Sequence, residues 1–163
     1  MKGAVAYFEL YSLQRTGRLE GLSLESVRQL VRVAYPDQHN SDIEKIALAW
    51  KSRKQETLDY LVGERRYEIE DALLHNPATT GEQATMILNV SPSILSRANA
   101  ASRPDVEKES LNKATGEDQH ILVAFEALAN PESSGKAVID ATESNDPRRK
   151  AAIERKLKSM LEK

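Results

Sequence analysis

The chain of 163 residues has no cysteine, so neither a disulfide framework nor a thiolate-ligated zinc site can form in it. It also lacks any apolar run long enough to cross a bilayer. The opening Met1-Lys2-Gly3 does not lead into the uninterrupted apolar stretch of a secretory signal, because Glu9, Gln14 and Arg15 break it. The expected location is therefore cytoplasmic, with no membrane partner. A strong charge of either sign is missing too: 23 Lys and Arg stand against 25 Asp and Glu, a net of −2, so nothing global attracts phosphate backbones. Basic residues do gather locally, at Lys51, Arg53, Lys54, Arg65 and Arg66 and again from Arg148 to Lys158, as solvated helix faces commonly do.

Runs of β-type residues are scarce, whereas Ser/Thr caps, prolines at helix starts and apolar residues at helical spacing recur. The pattern predicts an all-α fold of about eight helices. Residues 4–15 read as a short helix or helical turn broken by Gly17 and Gly21. A helix from Ser23 to about Tyr35 carries Val27, Leu30, Val31 and Ala34 on one face and stops at Pro36. Ser41 with Glu44 has the form of a capping box opening a helix from Asp42 to about Val62. Gly63 marks a joint, dividing an N-terminal helical hairpin at 1–63 from a helical domain at 64–163. A helix from Glu64 to His75 follows. Thr80 and Gln83 form a second capping box, with Ala84, Ile87 and Leu88 behind it and Asn89 at the stop. Ser91 then reads as an N-cap and Pro92 as the first helical residue of a helix turning Leu95 inward and Ser93, Ser96 and Arg97 outward. Further helices are expected from Pro104, from Thr115, around Val138 to Ala141, and from Pro147 to the end. Thr115-Gly116-Glu117 echoes Thr80-Gly81-Glu82 thirty-five residues on, a spacing that would suit paired-helix repeats.

The run Val90-Ser91-x-Ser93-x-Leu95-Ser96-Arg97, with Ile87-Leu88 before it, resembles the helix-turn-helix DNA-binding motif. Asn89 stands where the turn usually has glycine, and Thr85 where a small alanine usually packs. The resemblance implies a supporting helix at 64–75 and base-edge contacts from Ser91, Ser93, Ser96 and Arg97. It further implies a homodimer on half-sites about one helical turn apart.

A second resemblance covers the first two fifths of the chain. Tyr7-Phe8-Glu9-Leu10-Tyr11-Ser12-Leu13, the face Val27, Leu30, Val31, Ala34, then Pro36-Asp37 with Asn40, and Ile43-x-x-Ile46-x-x-Ala49-Trp50 resemble a J-domain. This implies docking on a DnaK-type chaperone through the corner Tyr35, Pro36, Asp37. The family's His-Pro-Asp reads Tyr-Pro-Asp here, so the resemblance implies an adaptor that has lost ATPase stimulation. A third expectation is a helical component of a larger assembly.

No constellation of residues nominates an enzyme. His39, His75 and His120 are scattered, and Gly135-Lys136 lacks the length of a phosphate loop. Asp37, His39, Asp42 and Glu44 are close enough in sequence to ligate a divalent ion, but Asp42 and Glu44 are explained as first-turn acids favourable to the helix dipole, and neither a loop glycine nor the spacing of a known site accompanies them. The expectation is a non-enzymatic protein with no cofactor and no metal.

Overall fold

The computed structural model describes residues 2–116 and 119–161, and the described chain is all helical. It forms two compact units, Met1–Thr79 and Thr80–Lys163.

The first unit holds α1 (Lys2–Arg15), a 3₁₀ turn (Arg18–Gly21), α2 (Leu24–Ala34), α3 (Asn40–Lys51), α4 (Gln55–Val62) and α5 (Tyr67–His75). Gly17 lets α1 end, since its φ of 70° is left-handed backbone that a side chain disfavours. Ser23 caps α2, its hydroxyl accepting from the Ser26 amide, and the helix stops before Pro36. Helix α3 starts at Asn40 after His39, without the Ser41–Glu44 capping box expected from the sequence, because Glu44 is engaged by Arg28 of α2 instead. The single helix expected over 42–62 is two. Its break at Ser52 to Lys54 is held from outside: the Asn76 side-chain amide donates to the carbonyls of Ala49 and Ser52 at 2.8 and 2.9 Å. Trp50 is fully buried, as are Leu10, Leu19, Ile46, Leu58, Leu61, Ile69 and Leu73, the largest apolar side chains of this core.

The second unit holds α6 (Gly81–Val90), α7 (Ile94–Ala101), α8 (Lys108–Ala114), α9 (Ile121–Ala129), α10 (Gly135–Thr142) and α11 (Pro147–Leu161). The Thr80–Gln83 capping box forms as expected. The next start lies two residues later than expected, with Ser93 as N-cap and Ser91 accepting from the Ser93 amide in the turn. Thr115 ends α8 instead of opening a helix, and α9 begins after His120, so the thirty-five-residue echo has no structural counterpart. Glu117 of that echo lies outside the described residues. Helix α7 packs against both α6 and α9. Thr85 takes the tight position without disruption because its hydroxyl is doubly used, donating to Gly81 O at 2.7 Å and accepting from the Glu107 amide at 3.0 Å. Leu128 and Ile153 join α9 to α11, with Val138 and Leu157 against them.

A true internal echo lies elsewhere. Asn76-Pro77-Ala78-Thr79-Thr80-Gly81 and Asn130-Pro131-Glu132-Ser133-Ser134-Gly135 each follow a helix and lead into the next, fifty-four residues apart. In each, the Asn side chain donates to two carbonyls at the end of an earlier helix, Ala49 and Ser52 in one, Ala101 and Arg103 in the other.

Candidate functional site

The four residues expected to face DNA do not share a surface. Ser91 is buried in the turn. Ser93 is half-buried and spends its hydroxyl accepting from the Ser96 amide as the α7 cap. Ser96 is fully buried, whereas Leu95 is 52% exposed, the reverse of the expected orientation. The cause is close packing: α7 meets its neighbours through Ser96, Ala98, Ala100 and Ala101, and a leucine has no room on that side. Arg97 is half-buried, with Nε donating to Leu88 O at 3.1 Å and a terminal nitrogen donating to Gln119 Oε1. What α6–α7 does present is apolar: Met86 and Val90 one turn apart on α6, then Ile94 and Leu95 at the start of α7, all exposed. The expected supporting helix, α5, lies in the first unit and packs on α3 and α4.

Of the corner Tyr35, Pro36, Asp37, the proline and aspartate are exposed and Tyr35 is turned inward. Its ring stands edge-on to Tyr7, 6.4 Å between centroids. Its hydroxyl is buried without a hydrogen-bond partner among the described residues. Burial, then the negative charge of Asp71, raises its pKa well above the ordinary tyrosine value. Tyr35, which precedes Pro36-Asp37, is thus half-buried in the first unit with its hydroxyl turned inside.

Near it lies a polar cluster that sequence reading did not assemble. Tyr7 Oη donates to Asp71 Oδ2 at 2.9 Å across α1 and α5. His75, one turn beyond Asp71, donates through Nδ1 to Asp71 O at 2.7 Å and lies 3.6 Å from Asp71 Oδ1. The imidazole stacks on Trp50 at 5.5 Å and takes the edge of Tyr11 at 5.0 Å. Burial raises the Asp71 carboxyl against the opposing pull of His75 and the Tyr7 hydrogen bond. The spacing of Asp71 and His75 on one helix face was a legible signal, but Tyr7 and Trp50 are distant in sequence. With the Asp71 side chain only 2% exposed, the cluster ties α1 to α5 and offers no carboxylate to a substrate.

Among the described residues no group of three potential ligands could hold a metal ion, and no helix is long and apolar enough to cross a membrane. Comparison with protein-family models, curated proteins and solved structures gives no match.

Proposed function

We propose that this chain is a non-enzymatic helical docking module whose partner is another protein, held by the outer face of α6–α7. The observation that carries this reading is the orientation of α7, which turns Ile94 and Leu95 outward while Ser96 is sealed inside and Arg97 is bonded within its own unit. Apolar side chains grouped at the surface favour a protein partner over a phosphate backbone. A DNA-reading function would draw on Ser93 and Arg97 alone, in a chain of net charge −2. The test is Leu95→Asp, which alters an exposed position and leaves the helical circular dichroism of the chain unchanged. The wild type captures a stoichiometric protein partner from lysate of cells expressing it, and the variant loses that partner. Duplex DNA binding by fluorescence polarisation that falls with salt and vanishes in Arg97→Ala would overturn the reading.

A second reading, an adaptor for a DnaK-type chaperone, draws on the exposure of Pro36 and Asp37 between α2 and α3. It requires that a purified DnaK-type chaperone bind the chain and that Asp37→Asn abolish the binding. Absence of binding by the wild type refutes it.

A further inference from the structure

Between α6, α7 and α8 lies a pocket of about 180 Å³ lined by Asn89, Arg97, Ser110, Lys113 and Gln119 among others. We infer that it is a binding site for a single carboxylate, received by Arg97. Three features support this. First, the guanidinium is held in place before any ligand arrives, since Nε is fixed on Leu88 O and a terminal nitrogen on Gln119 Oε1. Of its five N–H groups two are used, and the other three have no partner among the described residues. Second, no acid pairs with Arg97 among the described residues, whereas Lys113 is paired with Glu109 at 3.0 Å. Among the described residues lining the pocket, Arg97 is therefore the one charge without an opposite partner, which suits a monoanion better than a phosphate dianion. Third, the neighbouring polar groups are already ordered: Asn89 Nδ2 donates to Ser110 Oγ at 3.0 Å, and Ser110 in turn donates to Glu107, which does not line the pocket. Neither Ile94 nor Leu95 lines it, so the site stands apart from the apolar face and survives or fails independently of the docking reading.

The carboxylate can come from a free small acid or from an acidic side chain of a peptide, and the test separates these. The ¹⁵N-labelled full chain is titrated with sodium acetate and, at matched ionic strength, with sodium chloride. Acetate produces saturable shifts at the Arg97 Nε–H and the Gln119 side-chain amide, and chloride produces none. Because Arg97→Met also deletes the bond to Leu88 O, the deciding variant is Gln119→Glu, which places a carboxylate beside the guanidinium and weakens acetate binding by about tenfold or more. A capped peptide containing one Asp is then compared with its Asn counterpart. Binding about tenfold tighter than acetate, and absent for Asn, identifies an acidic peptide, and equal affinity with acetate identifies a free acid. The inference is overturned by equal responses to acetate and chloride, by saturation with inorganic phosphate but not acetate, or by acetate shifts that persist in Gln119→Glu.

Discussion

The corners at Asn76 and Asn130 use the same six-residue turn and the same amide-to-two-carbonyl bond, yet their surroundings differ. In both, the Asn Oδ1 accepts from the backbone amide two residues on, Ala78 or Glu132. At Asn76 the same oxygen also accepts from Arg53 at 2.9 Å, and Arg53 reaches on to Glu20. The preceding residue there is His75, stacked on Trp50, whereas Ala129 precedes Asn130. All five tyrosines and the tryptophan fall in the first unit, and Phe125 is the one aromatic residue of the second. The second core is richer in small side chains, with Ala84, Ala98, Ala100, Ala101, Ala124 and Ala127 all buried beside Ile87, Leu88 and Leu111. One local device thus serves two kinds of interior, one built around a buried tryptophan and ordered by polar bonds, the other richer in buried alanine.

The most forceful way to break this comparison is Trp50→Ala, which empties the first core and costs about 3–5 kcal/mol there. Hydrogen exchange of the full chain is expected to show lost protection in peptides of residues 2–79 and retained protection in α6, α7 and α9. Equal loss in both would mean that the two interiors do not melt separately. Next in size is the pair Asn76→Ala and Asn130→Ala. Each strands two carbonyls and costs about 1–3 kcal/mol, with the larger loss at Asn76 because Arg53 loses a partner as well. Denaturant midpoints of the two variants decide it, and a larger loss at Asn130 would reverse the ranking.

The glycines closing the two turns sharpen the comparison from another side. A Cβ on Gly81 would stand 1.9 Å from the Asp105 carbonyl oxygen, a backbone atom, whereas one on Gly135 would meet nothing within 4 Å. Gly81→Ala should therefore cost about 1–3 kcal/mol, as overpacking does. Gly135→Ala should be neutral or stabilise by roughly 0.4–1 kcal/mol by restricting the unfolded chain. Thermal midpoints that fall equally would refute the distinction.

The smallest expected effect is a difference in the sign of two pH dependences. Asp71 is held above its ordinary value, so its contribution to folding is complete below about pH 4 and is lost as pH rises through the raised value. Asp105 is held low, first by its hydrogen bonds from Arg103, so its contribution is present above about pH 4 and is lost as pH falls through the lowered value. Relative to wild type, Asp71→Asn gains stability between pH 4 and pH 7, and Asp105→Asn loses it between pH 3 and pH 7. Urea midpoints at those values check both signs.

The helical class and several helix ends were legible because they depend on neighbours in sequence. Thr80 and Gln83 cap one another, Ser23 caps α2, and Pro36 stops it. The features that escaped depend on partners far along the chain. Nothing near Ser52 announces a break between α3 and α4, because the group that caps α3 is Asn76. Hydrophobicity alone gives the wrong face of α7: a leucine is normally the buried residue, but this helix, packed against two neighbours, keeps serine and alanine inside and turns its leucine out. Similarly, the inward turn of Tyr35 depends on Tyr7, twenty-eight residues away in sequence.

The stack of His75 on Trp50 gives the first unit an optical reporter of its own. Trp50 is the one indole in the chain, so its emission reports on the first unit alone. In an unlabelled protein, separation of the two rings therefore registers as a change that the second unit, which has no tryptophan, cannot mimic.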